Sequence, residues 1–117
     1  QVKLAISLHA SNDRTRNALL PVNRRFPLNQ LMDACKTYIN KTSRRVTFEW
    51  ALIQGQNDSE QVASELGRLL RPLKGMCHVN IIPLNPTKGY DGGPSQSEAL
   101  EEFVRVLETH GVPATPR

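Results

Sequence analysis

Leu4, Ile6 and Leu8 alternate with Ala5, Ser7 and His9, and Val2 extends the apolar series towards the start of the chain. A strand with period two turns alternate side chains to opposite faces. The pattern therefore predicts a strand with one branched apolar face. Its other face carries a small residue, a hydroxyl and, at the carboxyl tip, an imidazole. Asn12 follows as a cap and Asp13 sits in a first turn, predicting a short helix over 12–20 that stops ahead of Pro21. After a basic loop from Pro21 to Pro27, Leu28, Leu31, Met32, Cys35, Tyr38 and Ile39 recur at helical spacing. They predict a helix over 27–41, with Pro27 in its first turn where a missing N–H does no harm.

Val46, Phe48, Trp50 and Leu52 against Thr47, Glu49 and Ala51 predict a second strand over 46–53. Glu49 reads in two ways: a contact to a polar cofactor or neighbouring side chain, or a solvated residue on an edge strand. Gly55-Gln56-Asn57-Asp58 makes a turn. Asp58 with Gln61 resembles a capping box opening a helix over 58–71, whose stripe is Val62, Leu66, Leu69 and Leu70. A third strand spans 78–84, with Asn85-Pro86 at its carboxyl end. The glycine-containing loop 88–94 is either a connector or a mobile lip. Ser95 with Glu98 resembles a second capping box, Ala99, Leu100, Phe103, Val104 and Leu107 form the last stripe, and Gly111 terminates it. Val112–Arg117 has the character of a fourth strand.

Strand and helix thus alternate three times, which predicts an α/β fold with a parallel sheet of three to four strands. Right-handed crossovers place the helices on one face. The other face carries Ala5, Ser7, His9, Thr47 and Glu49, whereas a doubly wound sheet needs branched residues on both faces of its central strands. An arc of a partial (β/α) barrel fits better. Gln1 stands immediately ahead of a strand, and the chain stops as another begins. Residues 1–117 are accordingly expected to be one fragment of a larger domain.

Charge and cysteine usage narrow the chemistry. Net charge is +4 with a pI near 9.4, so Arg14, Arg16, Arg24-Arg25 and Arg44-Arg45 permit phosphate contacts without requiring them; solvated surface is the plainer account. Cys35 and Cys77 lack the spacing of a disulfide framework or a metal site, which suits a reducing, cytoplasmic setting. Cys35 falls on a helical apolar stripe and reads as a buried, inert thiol. No run approaches the ~18 apolar residues of a membrane span. Phosphate-binding glycine loops, HExxH and GxSxG are absent, and His9, His78 and His110 are too far apart to imply a metal site. Ligands of parallel α/β folds sit at the carboxyl ends of strands, which singles out Ser7 and His9; ordinary hydrogen-bonded side chains are the bland alternative.

Leu4-Ala5-Ile6-Ser7-Leu8-His9-Ala10, with Asn12-Asp13, Arg16 and Leu20-Pro21-Val22-Asn23, resembles the radical S-adenosylmethionine rRNA adenine methyltransferases of the RlmN and Cfr class. Val46-Thr47-Phe48-Glu49-Trp50, Gly55-Gln56-Asn57-Asp58 and Asn80-Ile81-Ile82-Pro83-Leu84-Asn85-Pro86 continue the likeness in order over nearly the whole chain. The resemblance implies the C-terminal part of a radical SAM domain, with Ser7, Leu8, His9 and Asn85 contacting S-adenosylmethionine. It implies a 4Fe-4S cluster in the parent protein and 23S rRNA as its substrate, methylated at C2 of adenine with C8 left open, and with tRNA open as a second substrate. The Cys-x-x-x-Cys-x-x-Cys cluster loop, the methyl-carrying cysteine and the N-terminal RNA-binding domain of that family are missing from this sequence. The expectation is a cofactor-contacting wall that holds no catalytic residue and no metal ligand, is inactive alone, and self-associates through its sheet edges. The alternatives are an arc of another TIM-barrel enzyme and a small α/β interaction module.

Overall fold

Four strands pair in parallel and in chain order, β1 (Leu4–Ser7), β2 (Val46–Ile53), β3 (Cys77–Leu84) and β4 (Ala114–Pro116). Between them run α1 (Asp13–Leu19), α2 (Leu28–Thr42), α3 (Glu60–Leu70) and α4 (Gln96–Thr109). The computed structural model describes residues 4–20, 25, 27–84 and 96–117. Val2, most of the 21–27 loop, Asn85-Pro86, the 88–94 loop and Ser95 lie outside the described residues.

Register explains why the sheet has two unlike faces. Leu4 pairs with Val46 and Val46 with Cys77; Ile6 pairs with Phe48 and Phe48 with Val79. Cross-strand partners point to the same face, so these rows and Trp50–Ile81 form one apolar surface. Phe48, Trp50, Leu52, Val79 and Ile81 are sealed there beneath Met32 and Cys35 of α2, Ala63, Leu66 and Leu70 of α3, and Phe103 and Leu107 of α4. Trp50 and Phe103 meet with ring centroids 5.7 Å apart at a 40° tilt. Complete burial of a side chain such as Phe48 or Phe103 contributes about 2 kcal/mol. Two of the intervening rows, Ala5–Thr47–His78 and Ser7–Glu49–Asn80–Thr115, carry no branched aliphatic residue, and Ala51–Ile82 and Ile53–Leu84 follow them towards the carboxyl end. They form the face without that helical cover.

Helix boundaries follow from capping. Asn12 accepts from the Thr15 N–H at 2.8 Å and opens α1. Pro27 precedes α2 without a side-chain cap of its own, and Asp13 of α1 supplies the acceptor instead, taking the Leu28 N–H at 2.8 Å. Ser43 closes α2 in the left-handed region, φ 55°. The cap of α3 is Ser59, which accepts from the Val62 N–H at 3.1 Å. Asp58, expected there from the sequence, instead takes the Gly55 N–H at 3.1 Å and tightens the preceding turn. Gly67 lets the His110 ring approach α3: a Cβ at this position would stand 2.6 Å from the imidazole carbons.

Candidate functional site

β1 ends at Ser7, two residues earlier than its alternation through His9 suggests. The Leu8 N–H still donates to the Glu49 carbonyl at 2.9 Å, but His9 adopts φ 58°. A non-glycine residue in the left-handed region carries a cost of about 1 kcal/mol or more, and it persists where neighbouring bonds fix it. Those bonds are present. A continued parallel ladder would bring the Ala51 N–H to the Leu8 carbonyl; instead it donates to His9 Nδ1 at 2.9 Å. The Leu8 carbonyl accepts from the Ala10 N–H at 2.7 Å and from Arg16 Nε at 3.1 Å. Arg16 Nη2 also reaches the Ser7 carbonyl at 2.9 Å.

Arg16 is 6% exposed, so this cation is a buried clamp on strand-tip carbonyls rather than a surface phosphate contact. Burial draws its pKa down, opposed by Asp13, yet an arginine stays charged at any physiological pH. Asn57, also buried, clamps the neighbouring strand: its Nδ2 donates to the Ala51 carbonyl at 2.8 Å and more loosely to His9 at 3.5 Å. Its Oδ1 takes the Ile53 N–H at 2.7 Å. Ser11 and Asn12 both donate to Glu65 Oε1, at 2.5 and 3.0 Å, tying the loop after β1 to α3. Those two bonds hold the Glu65 carboxyl below the usual range, with a smaller contribution from Arg68 against the opposing effect of burial.

His9 itself is half-buried. Burial lowers its pKa, Glu49 acts to raise it and Arg16 to lower it further. Beside it, His9, Ser11, Asn12, Thr15, Gln56 and Asn57 help to line a cavity of about 70 Å³ that reaches Trp50, too small for a nucleoside. Trp50 Nε1 is buried without a partner among the described residues.

The uncovered face continues from this tip. Ser7, Glu49, Asn80 and Thr115 form one polar row across all four strands. Glu49 lies on an inner strand, not on an edge, and its Oε2 pairs with Arg117 Nη1 at 2.8 Å across β3. Among the described residues the side chains of Ser7 and Asn80 make no hydrogen bond. His78 Nε2 meets the Thr115 hydroxyl at 2.8 Å. Asn80 was not singled out from the sequence, although the His78, Asn80, Ile82 alternation in β3 carries that signal.

Of the residues expected to contact a cofactor, the structure places Ser7, Leu8 and His9 together at the carboxyl tip of β1. Leu8 has its side chain wholly buried and its N–H and carbonyl already bonded to Glu49, Ala10 and Arg16, so it shapes the tip without facing it; Asn85 lies outside the described residues. A hydroxyl, an imidazole, an amide and a carboxylate on one half-exposed surface fit a zwitterionic nucleoside, which needs several directional groups rather than one strong charge. An iron–sulfur cluster does not fit the cysteines. Cys35 and Cys77 are buried in the core, and burial pushes both thiols up to about 11. Among the described residues no group of three or more His, Cys, Asp or Glu could hold a metal ion. A wider cleft of about 580 Å³ between the starts of α3 and α4 is lined by Asp58, Glu60, Glu98 and Glu102; its charge disfavours phosphate. No helix among the described residues is long and apolar enough to cross a membrane.

No family model matches the chain. It is 53% identical over 116 residues to the dual-specificity RNA methyltransferase RlmN 1 of Myxococcus xanthus, covering 99% of this chain and 32% of that protein. A probable dual-specificity RNA methyltransferase RlmN of Clostridium perfringens is 44% identical over 117 residues, all of this chain and 33% of the relative. The crystal structure of a radical SAM methyltransferase from Sphaerobacter thermophilus superposes with a TM-score of 0.87 at 54% identity, covering 100% of this chain and 34% of that one. The chain therefore spans about a third of the length of the proteins it matches. Self-association of the segment finds no support in these relatives.

Proposed function

From a chain that belongs to the radical SAM family of RlmN dual-specificity RNA methyltransferases and spans about a third of its members, we propose a segment that walls one side of an S-adenosylmethionine site. Residues 1–117 act as the C-terminal part of a radical SAM domain, an arc of a partial (β/α) barrel in which β1 and β4 each meet further chain. Ser7, His9 and Asn85 hold the cofactor, Leu8 sets the strand tip between Ser7 and His9, and Asn80 joins them on the polar row. The observation that carries this proposal is the imidazole of His9, pinned at the carboxyl tip of β1 in line with Ser7, Glu49 and Asn80.

S-adenosylmethionine supplies a methyl group and, with a reduced 4Fe-4S cluster, radical chemistry when bound in the parent protein. The work of this chain is binding and orientation. Ser7 offers a hydroxyl and His9 an imidazole nitrogen. Glu49, neutralised by Arg117, contributes a carboxylate without a net anionic charge at the site. Cluster ligands come from sequence outside this chain, so the segment alone has no route to the electron-transfer step. The parent protein methylates adenine, at C2 in 23S rRNA with tRNA as a second substrate, in the cytoplasm.

The test uses the longer protein with its cluster reconstituted. Mass spectrometry of nucleosides from treated 23S rRNA should show 2-methyladenosine, and the 117-residue chain alone should yield none. Ser7→Ala and Asn85→Ala in the longer protein should each weaken S-adenosylmethionine binding about tenfold, the scale of one lost polar contact. Unmodified adenine with the intact, cluster-loaded protein would sink the proposal.

A further inference from the structure

Building on the site proposed above, we infer that His9 is a one-sided hydrogen-bond donor, locked by the β2 backbone in the neutral tautomer with its proton on Nε2. The site therefore takes its ligand at this position through an acceptor atom (a carboxylate, hydroxyl or ether oxygen, or a bare ring nitrogen), and not through an ammonium or another N–H.

The argument rests on one bond and on what is unable to replace it. A backbone N–H only donates, so Nδ1, 2.9 Å from the Ala51 nitrogen, must present a lone pair. A neutral imidazole then carries its proton on Nε2. The Ala51 N–H has no alternative acceptor in the ladder, because the Leu8 carbonyl that would have taken it is turned to Arg16 and Ala10. Nor can the imidazole turn away easily. His9 is held at φ 58°, with its flanks fixed by Arg16 on the Ser7 and Leu8 carbonyls and by Asn57 on the Ala51 carbonyl. Flipping the ring would place a C–H against the Ala51 N–H and leave a half-buried backbone donor without a partner.

Nε2 lies on the far side of the ring from Nδ1, so its N–H is directed away from the β2 backbone. For a zwitterionic nucleoside this restricts what His9 can meet to the carboxylate, the ribose oxygens or an adenine ring nitrogen. The α-ammonium is then left to acceptors such as the Ser7 hydroxyl or the Glu49 carboxylate. The imidazole thus selects by polarity as well as by shape.

Nitrogen-15 NMR of the histidine-labelled chain tests this without any cofactor. His9, identified by the signals that vanish in His9→Asn, should show an unprotonated, imine-type Nδ1 and a protonated, pyrrole-type Nε2 at neutral pH. An Nδ1-protonated tautomer, or a doubly protonated ring at that pH, would overturn the inference. The variants separate the two ends of the ring. Asparagine tolerates φ near 58° and places an oxygen where Nδ1 lies, so His9→Asn should keep the wild-type melting temperature; His9→Ala should lower it. Equal losses in both variants would also count against the latch. In the longer protein, S-adenosylmethionine should bind His9→Asn at least tenfold more weakly, and unchanged binding there would refute the donor role of Nε2. Failure of the wild-type protein to bind S-adenosylmethionine would instead remove the proposed cofactor site and leave the tautomer assignment standing.

Discussion

Arg16 and Leu8, eight residues apart, are joined by a hydrogen bond of 3.1 Å from the guanidinium Nε to the backbone carbonyl, buried beneath the loop that follows β1. Two strand-tip carbonyls accept from this guanidinium, and the Asp13 carboxylate favours its charge. Charged hydrogen bonds of this kind contribute about 1.5–3 kcal/mol each, and a carbonyl stranded by their loss adds a desolvation cost. Arg16→Ala should therefore destabilise the fold by about 3 kcal/mol in urea unfolding. Arg16→Lys should recover only a minor part, because an ammonium lacks the planar fork that reaches both oxygens. A loss below about 1 kcal/mol in the alanine variant would show that the clamp contributes little.

Asn57 makes the corresponding bonds on β2. Asn57→Ala leaves the Ala51 carbonyl and the Ile53 N–H without these partners, predicting a loss of about 2 kcal/mol. Asn57→Asp keeps the acceptor for Ile53 but sets a carboxylate against the Ala51 carbonyl, and should be no more stable than the alanine variant. Urea midpoints of the two variants at neutral pH check both expectations.

Gly67 offers a prediction with an unusual sign. Glycine to alanine inside a helix ordinarily adds about 1 kcal/mol of stability. Here the new methyl would stand 2.6 Å from the His110 ring, and overpacking of this type costs about 1–3 kcal/mol. Gly67→Ala should be destabilising, and combining it with His110→Ala should restore much of the loss. Thermal melts of the single and double variants would reveal the coupling.

The pH dependence has a definite direction. The folded chain lowers the pKa of His9 and of His78 from 6.5, through burial in each case. The unfolded chain then binds more protons as pH falls below 6.5, so stability is fully present above that value and declines as pH drops towards the folded values. Glu65, lowered from 4.5, adds a second stage: its contribution is lost as pH falls below 4.5 through its folded value. Melting temperature against pH should fall in these two stages, and His9→Asn should flatten part of the first. A curve that rises on acidification would contradict the assignment.

Cys35 and Cys77, both raised to about 11 by burial, should resist a thiol reagent at neutral pH and react together on unfolding. Thiolate is the reactive form, and the core must open to expose it. Rapid reaction of either cysteine in the folded protein would show that α2 does not seal the sheet as described.

The pattern of the chain made some of this legible. The alternation of Val46, Phe48, Trp50 and Leu52 assigns β2 and its buried face, and Asn12 marks the start of α1, because both signals are local. The end of β1 was not legible. Its apolar–polar alternation runs on through Leu8 and His9, while the backbone leaves the ladder there because Arg16, from the following helix, takes the carbonyl that β2 would have used. Asp58 and Ser59 show the same limit on a smaller scale, two adjacent capping residues between which the Gly55 turn decides. Arg16 looked like surface charge because nothing in its immediate sequence reports that it folds back into the core. Ser7 and His9 were recognisable by position; Asn80 needed the register of β3 against Glu49 to be seen.

Sheet order that repeats chain order has a consequence for how the molecule is made. Within this chain each strand from β2 onwards docks on the one synthesised just before it. The paired strands are 31–42 residues apart in sequence, and the entropic cost of closing such crossovers grows only slowly with length. A nascent polypeptide can therefore accrete layer upon layer as it leaves the ribosome, β2 acquiring β3 before β4 exists. The eight-residue pairing of β2 with β3 is the natural place for that growth to take hold.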